Sequence, residues 1–177
     1  NLNPKIKKIK MIISDIDGVW TDGSFYKGTD GQEFKKFNVN DGVGVAMARA
    51  GNFRIALISG RYSAATEYRA EELKIKDVYN GGLNKIPAYE ELKKKYNLLD
   101  NEIAYVGDDL IDISVMKKVG VPIAVSNAIS NVKEIAIFTT KTAGGYGSFR
   151  EAVSWIIDQQ GRTKEVLKIM ESKILNI

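Results

Sequence analysis

The sequence contains no histidine and no cysteine. Without histidine there can be no Ser-His-Asp or Cys-His catalysis and no histidine zinc site. Without cysteine there is no disulfide and no thiolate ligand. Any chemistry must come from carboxylates, hydroxyls, lysine, arginine or a metal bound through oxygen. The missing cysteines also fit a reducing, cytoplasmic setting. Proline is scarce, at 3 residues, and no linker rich in Pro, Gly or Ser, no fixed-period repeat and no low-complexity segment interrupts the chain. No apolar run approaches the roughly 18–20 residues that a membrane-spanning helix needs. Residues 1–10 are basic, but the apolar stretch after them is short and runs straight into Ser14-Asp15. That predicts a buried strand rather than a signal peptide.

The 177 residues, 44% hydrophobic and 27% charged, predict one globular domain over residues 1–177. A net charge of +4 favours anionic ligands. The lysines are scattered rather than gathered with aromatics, so neither nucleic acid nor a membrane is expected as a partner.

Short runs rich in Ile and Val alternate with helical patterns, the signature of an α/β fold with a Rossmann-like parallel sheet flanked by helices. Strands are predicted at 9–14, 53–59, 103–106, 121–125 and 135–139. Helices are predicted at 43–50, 63–73, 85–96, 110–119 and 148–159, with Gly51 and Gly120 at C-caps. Residues 23–38 break the alternation and read as a β-hairpin flap, with Phe25-Tyr26 and Phe37 in its arms and Gly28-Thr29-Asp30-Gly31 at its turn. No later segment is large enough for a separate cap domain. The tail, 161–177, carries a helical stripe at Val166, Ile169, Met170 and Ile174 that can pack on its own core or on a neighbouring subunit.

Four features fall at or just beyond strand C-terminal ends, the edge where open α/β sheets bind ligands. They are Asp15-Ile16-Asp17-Gly18, Ser59-Gly60-Arg61, Lys85 beyond Gly81-Gly82, and Gly107-Asp108-Asp109 with Asp112. Asp15 and Asp17, two apart, share a face in a regular strand. With Asp108 and Asp109 they form a cluster that ionises poorly unless a cation neutralises it. With oxygen ligands alone, magnesium is the natural occupant. The Ser59 hydroxyl and the Lys85 ammonium are suitable partners for phosphate oxygens. Plainer roles exist for each residue: a solvated turn for Asp15 and Asp17, helix initiation for Ser59, a surface charge for Lys85, helix N-terminal charges for Asp109 and Asp112, and a surface ion pair for Arg61. Arg150, after the glycine-rich 144–147, reads as structural.

The segment DIDGVWTDG at 15–23 resembles the first signature of the haloacid dehalogenase superfamily, D-x-D-G-x-x-T/V. Ser59, Lys85 and GDDLID at 107–112 are similar to its second, third and fourth signatures, in order. The flap in place of a cap, with WTDG, KKFNVNDGVG and GGYGSFRE, resembles the capless subclass. That subclass includes phosphatases of 3-deoxy-D-manno-octulosonate 8-phosphate, in lipopolysaccharide precursor synthesis, and of nine-carbon keto-deoxy acid 9-phosphates.

The resemblance implies a phosphomonoesterase in which Asp15 attacks phosphorus to give an aspartyl-phosphate and Asp17 acts as acid, then base. It further implies Mg2+ held by Asp15, the Asp17 carbonyl and Asp108. Asp109 then orients metal-bound water or Lys85, Asp112 buttresses the loop, and Ser59, Gly60 and Lys85 contact phosphate. Members typically form homotetramers in which a neighbour's flap and tail help to close the site. A keto-acid substrate has a carboxylate suited to Arg61. Arg61 and Glu72 look more like the eight-carbon enzymes, whereas DIDGVWTDG and KKFN look more like the nine-carbon group; the eight-carbon substrate is the one expected. The rival from another class is a phosphoacceptor signalling domain of the response-regulator type. That reading places its phosphorylated aspartate at the third strand, whereas here the middle strand ends in Ser59-Gly60.

Overall fold

The structure, a computed structural model, describes residues 4–175. Residues 1–3 and 176–177, the outer ends of the basic N-terminal stretch and of the tail, lie outside the described residues. The chain runs β1 (Met11–Ser14), β2 (Tyr26–Lys27), β3 (Glu33–Phe34), α1 (Val39–Ala50), β4 (Arg54–Ser59), α2 (Ala64–Glu72), β5 (Asp77–Asn80) and α3 (Ile86–Tyr96). It continues through β6 (Ile103–Gly107), α4 (Ile113–Met116), β7 (Val121–Ala124), α5 (Ser130–Ile135), β8 (Phe138–Thr139), α6 (Ser148–Gln159) and α7 (Thr163–Leu175). No helix among the described residues is long and apolar enough to cross a membrane.

The sheet order is β5-β4-β1-β6-β7-β8, parallel at every pair. The order reverses at β1: the chain leaves it toward β4 and β5, then returns on its other side to β6, β7 and β8. Such a switch point opens a crevice beyond the strand C-terminal ends. β1, β6 and β7 are buried along their whole length, which is why they read as uninterrupted apolar runs. With right-handed crossovers, α1 lies on one face, where α6 and α7 pack against it; α3, α4 and α5 pack in series on the other.

Several expectations needed correction. β5 was not foreseen: as an edge strand with three half-exposed residues in its sequence DVYN, it carries no apolar run. The helix expected over 110–119 is a 3-10 turn, Leu110–Asp112, followed by the short α4. The Asp112 carboxylate draws the turn tight by accepting from the N–H groups of Asp108 (2.9 Å) and Asp109 (3.2 Å). That helix ends at Met116, so Gly120 is no C-cap; an added Cβ there would lie 2.8 Å from the Asn101 Cα. Residues 135–139 divide into the end of α5 and the two-residue β8. α1 starts at Val39, before the expected 43, because Asn38 caps it by accepting from the Asn40 N–H (2.9 Å).

The hairpin forms with Tyr26 opposite Phe34 and Lys27 opposite Glu33, while Phe37 lies outside its arms and packs on the core. The tail helix α7 buries Val166 and packs Ile169 and Met170 on this chain's own core, leaving Ile174 exposed.

Candidate active site

Asp15 directly follows β1, and its N–H donates to the Val106 carbonyl (3.0 Å), so the β6 backbone fixes where the carboxylate emerges. The loop after it is tied down on every side. Trp20 stacks on Phe149 of α6 at 4.6 Å and donates to the Ser14 hydroxyl (3.0 Å). The Thr21 hydroxyl accepts from the Gly18 and Gly23 N–H groups. Asn127 donates to the Gly18 carbonyl (2.9 Å) and accepts from the Gly144 N–H (2.7 Å). Gly18 needs to be glycine twice over, since its φ is +86° and an added Cβ would fall 1.9 Å from Asp108 Oδ2. Arg150 donates to Asn40 Oδ1 (2.8 Å), joining α6 to α1.

Beneath this loop lies a buried charge network. The Lys85 ammonium, with its side chain fully enclosed, reaches Asp15 Oδ1 at 2.9 Å and Asp112 Oδ1 at 2.7 Å and donates to the Tyr105 hydroxyl at 3.0 Å. Tyr105 donates in turn to Asp112 Oδ1 (2.5 Å). Burial opposes charge on Lys85, but the Asp15 and Asp112 carboxylates outweigh it and hold the ammonium above the ordinary lysine value. Burial likewise opposes ionisation of Asp112, yet Lys85 and Tyr105 keep its carboxyl below the usual range. For Asp15, burial and then the Asp112 charge push the carboxyl up to about 7 against the pull of Lys85. Burial and then Asp15 push Asp108 up to about 9.

An oxygen from each of Asp15, Asp108 and Asp112 lies within 4.8 Å of the others. Asp112 already accepts from Lys85, Tyr105 and two backbone N–H groups. Asp108 Oδ1, by contrast, is buried without a hydrogen-bond partner among the described residues. An orphan oxygen beside a second raised carboxyl fits an oxygen-bound divalent cation, and Asp15 and Asp108 are the side chains with capacity for it.

Asp15, Asp17, Gly60, Arg61, Asp108 and Asp109 line one cleft of about 430 Å³. Ser59 and Lys85 are buried, Ser59 at the end of β4 beside β1, its hydroxyl donating to the Arg61 carbonyl (3.0 Å). Loops distant in sequence thus converge on Asp15. Asp112 buttresses the loop, as expected, through the Asp108 and Asp109 N–H groups, and the Lys85 contact expected of Asp109 is made by Asp112. Asp109 is exposed and accepts from the Leu110 N–H (2.7 Å), while Asp112 is the carboxylate that orients Lys85.

Two residues of the flap enter the site unannounced. Lys35, its side chain 0% exposed, pairs with Asp17 Oδ1 at 2.6 Å, and Glu33 pairs with Arg61. Their signal was alternation: residues 33 and 35 share a face of one arm. Tyr105, inside an apolar run, gave none.

Removing the ammonium strands two buried carboxylates. Lys85→Met is expected to lower the unfolding free energy by about 3–5 kcal/mol, measured by urea denaturation at pH 8 without divalent cations. An unchanged midpoint would refute this account of the network.

Residues 55–147 match the haloacid dehalogenase-like hydrolase family. The chain is 40% identical over 161 residues, 91% of its length, to the 3-deoxy-D-manno-octulosonate 8-phosphate phosphatase KdsC of Salmonella typhi, of which the match covers 86%. The fold matches the phosphatase of that name from Moraxella catarrhalis, solved in complex with a magnesium ion, a phosphate ion and KDO, with a TM-score of 0.90, 31% identity and coverage of 96% of this chain and 97% of that one. It also matches the cobalt-bound deoxy-D-mannose-octulosonate 8-phosphate phosphatase (YrbI) of Haemophilus influenzae, with a TM-score of 0.86, 35% identity and coverage of 90% and 93%.

Proposed function

The chain belongs to the haloacid dehalogenase-like hydrolases, and on that premise we propose that this phosphoric monoester hydrolase removes phosphate from 3-deoxy-D-manno-octulosonate 8-phosphate. The observation that carries the reading is the buried Asp15–Lys85–Asp112 network with Asp108 beside it at the floor of one cleft. The 40% identity to a phosphatase named for that substrate supports the choice of ester.

The chain's own geometry suggests how the groups divide the work. Asp15 Oδ1 accepts from the Ile16 N–H (2.7 Å) and from Lys85, which leaves Oδ2 as the attacking oxygen. As Oδ2 bonds to phosphorus, the bond from phosphorus to the sugar oxygen breaks, and Asp17 gives that oxygen a proton. Asp17 then takes a proton from the water that attacks the aspartyl-phosphate, releasing phosphate and restoring Asp15. Lys85, Ser59 and the Gly60 N–H hold the phosphate oxygens. A divalent cation, magnesium in this proposal, would be held by Asp15, Asp108 and the Asp17 carbonyl, and supplies positive charge to the transferring group. One domain carries the whole site in this reading. The exposed aromatics Tyr26 (74%) and Phe34 (59%) on the flap suit a homotetramer that covers them.

The test is a substrate panel with magnesium present. Phosphate release from the eight-carbon keto-acid phosphate is expected to exceed release from the nine-carbon acid 9-phosphate and from hexose 6-phosphates by at least about tenfold in kcat/KM. Equal rates across the panel would remove the substrate assignment and leave the chemistry standing. A long-lived phosphorylated protein after acetyl phosphate treatment would instead favour a signalling domain.

A further inference from the structure

Arg61 stands where two cavities meet. It lines the cleft that contains Asp15 and a second cavity of about 390 Å³ between the flap and α2. In that second cavity its guanidinium is held by the flap: it pairs with Glu33 and stacks on Phe25 at 4.1 Å. Arg61 holds the Glu33 carboxyl down to about 2. The buried Ser63 hydroxyl is close enough to lower it further, yet forms no hydrogen bond of good geometry among the described residues. Ser63 sits at the N-cap of α2 without capping it, so a donor and the positive end of a helix face the same carboxylate. Glu33 therefore rests in a pocket whose chemistry is that of a carboxylate receptor: a planar guanidinium, a spare hydroxyl and a helix N-terminus.

We infer that Glu33 occupies, in the free protein, the place on Arg61 that the carboxylate of an acidic sugar phosphate takes when it binds, and that Glu33 is thereby a specificity-determining residue. The inference rests on the phosphatase reading above and adds to it a resident competitor on Arg61 that sets how strongly acidic esters are preferred over neutral ones. A phosphate ester on Asp15 that carries a carboxylate at its far end can exchange that carboxylate for Glu33 across the shared Arg61. An uncharged sugar phosphate gains nothing from the exchange and leaves the Glu33–Arg61 pair in place. The flap does not depend on this pair alone, because Lys35, two residues along the same arm, is anchored on Asp17 at 2.6 Å.

The experiment compares KM for the eight-carbon keto-acid phosphate with KM for a hexose 6-phosphate in four proteins: wild type, Glu33→Gln, Arg61→Met and the double variant. Glu33→Gln is expected to lower the acid-to-neutral KM ratio about tenfold, and to leave that ratio unmoved when Arg61→Met is already present. A ratio that stays put or rises in Glu33→Gln overturns the inference, as does an equal drop in the Arg61→Met background, because a flap that is merely loosened treats both esters alike. If wild type releases phosphate from no ester, the phosphatase reading fails instead. The same comparison is then made by calorimetric titration of the free eight-carbon keto acid: tighter binding to Glu33→Gln than to wild type sustains the inference, and equal or weaker binding ends it.

Discussion

Asp15→Asn is expected to lower kcat on the preferred ester by at least about 10⁴-fold without unfolding the protein. An amide of the same shape keeps the oxygen that accepts from the Ile16 N–H, so the loop after β1 retains its anchor, but it cannot attack phosphorus at a useful rate. The fold should tolerate the change, because the carboxyl it replaces is 3% exposed and raised to about 7 by burial and by Asp112. Replacing a group that is costly to ionise removes a penalty at neutral pH and above. Lys85 keeps Asp112 and Tyr105 as partners. The measurement is steady-state kinetics beside a thermal melt at pH 8 in the absence of divalent cations. Kinetic loss with an undiminished melting temperature is the expected pair of results; residual activity within 100-fold of wild type would count against covalent catalysis by Asp15.

How far the sequence could be read follows from where each element lies. β1, β4, β6 and β7, mostly buried, announce themselves as Ile- and Val-rich runs, and the acidic and hydroxyl residues at their ends could be placed from strand direction alone. β5 is not legible as a run because it is an edge strand with three half-exposed residues, and only the Gly81-Gly82 turn that follows it carries a sequence signal. The pairing of Asp112 with Lys85 and the exposure of Asp109 resisted a linear reading for a physical reason. A single tight 3-10 turn, drawn in by Asp112 itself, turns Asp112 under the sheet and leaves Asp109 at the surface. In a regular helix over 110–119 that inversion would not be expected. Lys35 and Glu33 were equally hard to foresee. Their alternation gives a shared face, but which surface that face meets depends on the flap folding back over the β1 and β4 loops, a contact between residues far apart in the chain.

The acidic cluster also sets how stability responds to pH and to cations. Asp15 and Asp108 carry folded-state values of about 7 and about 9, both raised above the ordinary 3.8 of aspartate. Between 3.8 and those values the folded protein holds protons that the unfolded chain has released, so stability falls as pH rises through this window. Asp41, buried and raised to about 6, adds to the fall only at its lower end. Groups held low, such as Glu33 and Asp112, lose their contribution only in acid. From pH 6.5 to 8.5 the slope therefore belongs to Asp15 and Asp108, and the melting temperature of cation-free protein is expected to drop by about 10 °C. Millimolar magnesium should flatten that slope, because a bound cation favours the ionised carboxylates, and its stabilisation should grow with pH as fewer protons compete. Asp108→Asn removes the more strongly raised of the two carboxyls and the negative charge that a cation would neutralise, so it should melt higher than wild type at pH 8.5 without cations and respond little to magnesium. Scanning fluorimetry across this range decides the matter. A wild-type melting temperature indifferent to magnesium at pH 8.5, or an Asp108→Asn protein as responsive as wild type, would mean that these carboxylates are not gathered around a cation.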